Sequence, residues 1–390
     1  MKLDKTLLNV SCKIKIVSYE RLKQRTTMKK ILVGILILAF SWGGLYAKEF
    51  DKEVVLAALN EAKESYGLTA IVVEIRKGDT SVFQQALGLS TTDIPARMDM
   101  KARVGGVCLT SVTAILLQAV DEGVLTLEDT IDEWRPDLPD SNIVTLRMLA
   151  NCTAGYGDYV PNEDFIQAFV DNPFRNFTPE ELIAYGVGDR TIYEPGTNWN
   201  YSHTNFIILG DILSQVFGKS VQELLEERVF QPLNLQDTVY TPTPEIPGAV
   251  LHGFTTERGI FEDSTYWNPS WTSYSGSMAA TMADVAEIGH AIVNSRLFSE
   301  DSLQEMIAPT TAGMGRLSTQ NYYGLGIGVV RNQTWMLQNP NFGGYQGVMA
   351  MSLTNEYVVA VFATLGKDSD PATHHGMKLF EVIRSQLESF

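Results

Sequence analysis

The stretch Ser111–Glu122 constrains this chain more than any other. Val112, Ala114, Ile115, Leu116, Leu117, Ala119 and Val120 leave almost no polar face on a helix-length run that stops at Gly123. A helix that is apolar on most sides is stable only when other elements cover it all round. It therefore marks the centre of a helical domain with further layers about it. A chain of 390 residues, 45% hydrophobic and 19% charged, has an ordinary globular composition and enough apolar material for those layers.

The flanking patterns define the layers. Asp51–Tyr66 has apolar residues at helical spacing (Val54, Val55, Ala58, Leu59, Ala62) and ends at Gly67. Thr69–Ile75 and Ser81–Leu87 are β-rich and joined by Arg76-Lys77-Gly78-Asp79-Thr80, a hairpin signature. The helical pattern continues through Glu128–Trp134, Thr145–Asn151, Thr178–Tyr185, Asn205–Phe217 and Val221–Val229, broken by Pro136, Gly155, Pro195-Gly196 and Gly218. Helices are then predicted over Asp284–Val293 and Leu297–Ile307. Strands return at Gly324–Val330, Val348–Leu353 and Tyr357–Thr364 before a last helix at Gly376–Ser389. The order predicts an α/β part at 48–100 and 270–390, with an antiparallel sheet flanked by helices, and a helical part inserted at 101–269.

Residues 1–47 stand apart from that body. Lys29-Lys30, the apolar run Ile31–Phe40 and the small-residue stretch Ser41–Ala47 predict a secretory signal and an exported, periplasmic or extracellular protein. Cleavage after Ala47, cleavage a few residues away and an uncleaved anchor are the alternatives; the apolar run is short beside the roughly 20 residues of a spanning helix. Met28 is the better-placed initiator, so 1–27 reads as an upstream extension.

Residues 1–47 hold nine basic and two acidic residues, so the whole-chain charge of −16 leaves −23 on residues 48–390. That balance argues against nucleic acid and anionic membrane surfaces as partners, with membrane contact only through an uncleaved signal. In an exported chain Cys108 and Cys152 can pair as a disulfide, a distance the sequence does not supply. The five histidines are scattered, and His374-His375 do not share a helical face, so no zinc pattern is present. Phosphate loops, dinucleotide fingerprints and calcium loops are missing as well, and no cofactor is implied.

A set of short motifs recurs in a telling order: Arg103-Val104-Gly105, Asp121-Glu122-Gly123-Val124-Leu125-Thr126-Leu127-Glu128-Asp129, Val144-Thr145-Leu146-Arg147-Met148-Leu149, Thr153-Ala154-Gly155, Glu194-Pro195-Gly196, Tyr201-Ser202, Thr204-Asn205-Phe206 and Tyr323-Gly324-Leu325-Gly326. In order and spacing this resembles the serine β-lactamase and penicillin-recognising superfamily, in its class C β-lactamase, D-alanyl-D-alanine peptidase and esterase branch. The resemblance covers residues 50–390 and implies a β-lactamase/transpeptidase-like fold.

The resemblance also implies a catalytic set, and here the chain departs from it. The family's Ser-x-x-Lys works because residues three apart share a helix face, so the lysine can take the serine's proton. The matching positions are Gly106 and Leu109, fixed by the motifs on both sides. In the family's Tyr-x-Asn, the tyrosine assists proton transfer and the asparagine holds the substrate amide; here it reads Tyr201-Ser202-His203. The third element, Lys-Thr-Gly or His-x-Gly, falls on Gln338-Asn339-Pro340 by counting back from Gly344-Tyr345, which removes the cation and puts a proline in place of the glycine. Glycine has no nucleophile, leucine cannot titrate and glutamine brings no charge. The resemblance leaves one asset, the Gly106 backbone N–H at a helix start, where the family builds its oxyanion hole.

The reading that follows is a pseudoenzyme, a non-catalytic binding protein for a peptide or cell-wall fragment. Gly106, Leu109, Cys152, Tyr201, His203, Gln338, Asn339 and Tyr345 are the candidate binding residues, and no residue is assigned a catalytic role. The rival is a hydrolase that uses rearranged residues, with Cys152, Tyr201 and His203 facing one pocket. A scaffold that uses only its outer surface is the third option. The aromatic run Tyr266–Tyr274 contains Trp267 and Trp271, which are ligand platforms if exposed; the expectation is that both pack between the two parts.

Overall fold

The computed structural model describes residues 50–388. The predicted signal, its cleavage site, Cys12 and Ser389 of the last predicted helix lie outside the described residues. The chain divides into two units, Lys52–Ser385 and a second formed by Met1–Asp51 with Gln386–Phe390. The architecture that follows is that of the first.

It opens with α1 (Lys52–Ser65), the hairpin strands β1 (Ala70–Lys77) and β2 (Thr80–Thr91), the short β3 (Ile94–Pro95) and β4 (Ala102–Arg103), and the central helix α2 (Val107–Asp121). A mostly helical stretch follows, with α3 (Leu146–Ala150), α4 (Glu163–Asp171), α5 (Pro179–Gly186), α6 (His203–Phe217) and α7 (Val221–Leu225). Then come β5 (Thr238–Tyr240), β6 (Phe254–Thr255), β7 (Glu262–Asp263), the single turn α8 (Ser273–Gly276), β8 (Met278–Ala280), α9 (Met282–Val293) and α10 (Glu300–Met306). Last are β9 (Tyr322–Tyr323), β10 (Gly328–Val330), β11 (Trp335–Gln338), β12 (Asn341–Phe342), β13 (Tyr345–Ser352), β14 (Tyr357–Thr364) and α11 (His375–Leu387).

The early and late strands meet in one antiparallel sheet of nine strands, ordered β3-β2-β1-β14-β13-β11-β10-β9, with β12 also on β13. All eight residues of β13 and of β14 are buried, which requires helices on both faces. Met351 and Val358 are directly paired and so share a face, and Gly289 of α9 packs closely on both. Trp335 pairs with Ser352 on the opposite face, where Phe380 of α11 meets its ring at 5.2 Å. The fold is thus a mixed α/β structure with an antiparallel sheet flanked by helices.

The central helix begins four residues earlier than its apolar run suggests. Gly106 adopts φ −57°, ψ −10° at its cap, and twelve of the residues from Val107 to Ala119 are buried. Gly123, at φ +69°, follows its last turn. Further on, Glu128–Trp134 contains only the tight turn Ile131–Glu133, whereas α4 forms where no helix was predicted, capped by the Asn162 side chain on the amides of Asp164 and Phe165. Of the strand predicted at Gly324–Val330 only β10 forms, and it pairs with β9, which precedes that run, across a turn in which Gly326 takes φ +62°. A Cβ at Gly326 would lie 2.2 Å from Thr113 Oγ1, so only glycine lets this turn rest on α2.

Candidate ligand-binding cavity

A cavity of about 590 Å³ opens where the start of α2 faces β11. Gly105 and Gly106 form its floor, Gln338, Asn339 and Pro340 one wall, and Tyr201 and His203 at the head of α6 another. Trp199, Trp271, Tyr323 and Phe342 supply aromatic surface, and Arg316 the guanidinium.

The floor and the β11 wall fit each other through unusual residues. Gly105 has φ +44°, and a Cβ there would lie 2.8 Å from Pro340 Cβ. A Cβ at Gly106 would lie 2.9 Å from Gln338 Oε1, so the Gln338 amide stands where a longer residue at 106 would project. Gln338 is held there by its Nε2, which donates to Gly326 O at 2.6 Å; the same carbonyl accepts from Thr110 Oγ1 at 2.8 Å. The Gly326 turn thereby fixes α2 and the wall together.

Just upstream, Arg103 is buried at 1% exposure, and burial lowers its pKa to about 10. Its side chain donates to the carbonyls of Pro244 (2.8 Å), Thr265 (3.2 Å) and Thr243 (3.4 Å), which ties β4, the strand leading into the floor, to the loops on either side of β6 and β7.

His203 is oriented by Asp158. Its Nδ1 lies 3.1 Å and 3.2 Å from the two carboxylate oxygens, and its backbone N–H donates to Asp158 Oδ1 at 3.1 Å. A carboxylate on Nδ1 fixes ring orientation and leaves Nε2 as the remaining functional nitrogen. Tyr201 meets the His203 ring edge-on at 4.9 Å and the Tyr323 ring at 5.7 Å. Burial raises the hydroxyl pKa of both tyrosines well above the ordinary value, aided by the nearby Cys152, by Asp158 for Tyr201 and by Tyr201 for Tyr323. A phenol held protonated in this way donates hydrogen bonds and does not serve as a base.

Five of the eight predicted residues line this cavity: Gly106, Tyr201, His203, Gln338 and Asn339. Three do not. Leu109 is fully buried and packs beneath Gly106, its apolar side chain belonging to the core. Tyr345 is 1% exposed because its hydroxyl turns inward and donates to Leu251 O at 2.6 Å. Cys152 is fully buried, with burial raising its thiol to about 12, so it shares no pocket surface with His203. The cysteine-based hydrolase is corrected on that ground, since an inert protonated thiol is not a nucleophile. The Cys108–Cys152 disulfide is corrected too: both thiols are free, and Cys108 Sγ instead donates to Tyr274 O at 3.4 Å.

Of the two tryptophans, Trp267 is buried against Phe169, whereas Trp271 packs on Phe165, Phe169 and Phe342 and also lines the cavity. Asp158, Trp199 and Arg316 were not singled out by the sequence. Asp158 lies 45 residues before its partner His203, and Arg316 stands in no motif. The one available signal was Gly315: at φ +51°, a Cβ there would come within 2.9 Å of Trp199 O, so this glycine allows the loop carrying Arg316 to lie against Trp199.

The family model described as Beta-lactamase matches residues 55–382. The chain belongs to the Beta-lactamase family. Among curated members similar to it are the D-alanyl-D-alanine-carboxypeptidase/endopeptidase AmpH of Escherichia coli K12, 26% identical over 204 residues (50% of this chain, 52% of that one), and a D-aminopeptidase of Brucella anthropi, 26% identical over 190 residues (48% and 36%). The chain spans about half the length of the curated relatives it matches first. Solved structures of Beta-lactamase fold superpose over most of the chain. A D-stereospecific amidohydrolase from Streptomyces sp. aligns at TM-score 0.76 and 23% identity, covering 87% of this chain and 99% of its own. A penicillin-binding protein from Bacillus halodurans aligns at 0.72 and 20%, covering 85% and 100%. At these identities the superpositions establish the fold.

Proposed function

We propose that this Beta-lactamase family member is an exported, non-catalytic binding protein that holds a small molecule or peptide, such as a cell-wall fragment, in the cavity at the head of α2. The observation that carries the reading is the Gly106–Gln338 contact. The residue at the nucleophile position has no side chain, and the space before it is taken by a neutral amide. Acyl transfer by the family route needs a nucleophile and a base at that point. Protonated Tyr201 and apolar, buried Leu109 supply neither.

The curated relatives named above carry peptidase names, which supports a ligand of peptide character. A second reading is favoured by one observation, the Asp158–His203 pair, which can orient an imidazole toward a water without any covalent intermediate. Incubation with a labelled β-lactam and with chromogenic ester and cephalosporin substrates tests both readings. The binding reading expects no covalent label and no turnover. Turnover abolished by His203→Asn, without covalent label, would replace it with the water-activating hydrolase.

A further inference from the structure

We infer that the cavity selects a small organic anion bearing a carboxylate, with Arg316 as the group that reads the charge; this rests on the binding reading above. The chain carries 46 acidic and 30 basic residues, yet no Asp or Glu is among the described residues that line the cavity. Two further cavities among the described residues include Glu226 and Glu245, and Glu257, in their linings, whereas this one holds a guanidinium and no carboxylate, a local inversion of the charge balance of an acidic chain.

Arg316 is placed by its surroundings. Gly315 lets its loop lie on the Trp199 backbone, and the guanidinium carbon stands 5.4 Å from the centre of the Trp199 ring. No ion pair among the described residues engages Arg316, and the Trp199 face is a surface on which a planar guanidinium stacks while its N–H fork remains available to a carboxylate.

The hydrogen-bonding capacity left open in the lining points the same way. The N–H of Gly106, in the lining at the head of α2, makes no backbone hydrogen bond. A backbone donor left open in a cavity is satisfied by an acceptor-rich ligand. The volume suits a molecule the size of an acylated amino acid.

The test compares N-benzoylglycine with N-benzoylglycinamide, which share a shape and differ in charge, by calorimetric titration of the protein at low salt. The acid is expected to bind about tenfold more tightly than the amide, as a charge-assisted fork contact does. Arg316→Gln is expected to bring the two affinities together, and Arg316→Lys to retain part of the difference. Arg316 is exposed, so these substitutions leave the fold intact. Equal affinity for acid and amide, binding of the amide alone, or binding of neither overturns the inference and leaves the Gly106–Gln338 argument standing. Release of ammonia from the amide instead overturns the binding reading, and the acid-to-amide ratio then decides this inference separately.

Discussion

Gln338 Oε1 stands 2.9 Å from the point where a Cβ on Gly106 would lie. A serine introduced at 106 therefore places a side chain against an amide held by Gly326 O. Gly106→Ser alone is expected to lower stability by about 1–3 kcal/mol, as overpacking of a fitted site does, and to form no acyl-enzyme. Gly106→Ser with Gln338→Ala is expected to regain most of that loss. Denaturant unfolding of the three proteins checks the order, and an unperturbed single variant would show that Gln338 is free to move.

The Asp158 carboxylate accepts from the backbone N–H groups of Val160 and His203 and pairs with the His203 ring. Asp158→Ala is expected to destabilise the protein by about 1–3 kcal/mol through the donors it leaves unpaired. The change should also release the His203 ring from a single tautomer, visible in its nitrogen chemical shifts. Retention of the wild-type tautomer would mean that another group orients the ring.

Both described cysteines are shielded. Neither Cys108 nor Cys152 is expected to react with a thiol reagent in the native protein without reductant, whereas both should react after unfolding. Rapid native labelling of Cys152 would contradict its burial.

The same burial sets an alkaline limit. Cys152 rises from 9 to about 12, and Tyr193 from 10 to about 12. The folded state holds these protons more tightly than the unfolded chain does, so the stability they contribute is complete below pH 9 and is lost as pH rises through about 12. Unfolding free energy is expected to fall steadily from pH 9 upward. A flat profile between pH 9 and pH 11 would show that these groups ionise in the folded state as they do in water.

Gly326 gives a structural counterpart. Its φ of +62° and the 2.2 Å approach to Thr113 Oγ1 make Gly326→Ala costly twice over, by strain and by collision. A loss of at least about 2 kcal/mol is expected. Because the Gly326 carbonyl also holds Gln338, ligand affinity should fall in the same variant.

Where the fold was readable, the signal was local. The apolar run Val112–Val120 announces a buried helix, and Lys77-Gly78-Asp79 announces the turn between β1 and β2. The apolar run alone puts the start of α2 at Ser111, because Gly106 and Val107 carry no side-chain start signal and the cap is made by backbone alone; only the resemblance set Gly106 at a helix start. The four-residue strand Trp335–Gln338 is defined by pairing with Met349–Ser352, a relationship that no local pattern records. In the cavity, motif order located Gly106, Tyr201, His203, Gln338 and Asn339. It did not locate Asp158 or Arg316, whose importance arises only from what the fold sets beside them. Cys152, Leu109 and Tyr345 were misplaced for the converse reason: proximity in sequence to a motif says nothing of which way a side chain turns.

The absence of carboxylates from the described cavity lining also has a kinetic side. A chain of net charge −16 repels an anion at long range, and that field is screened over roughly 8 Å at physiological ionic strength. An anionic ligand is thus slowed on approach and attracted only at contact. Its association rate should rise with added salt while its dissociation rate also rises, as the contact with Arg316 weakens. Affinity would then vary little with ionic strength while exchange grows faster, so the cavity would trade its occupant most readily where salt is high.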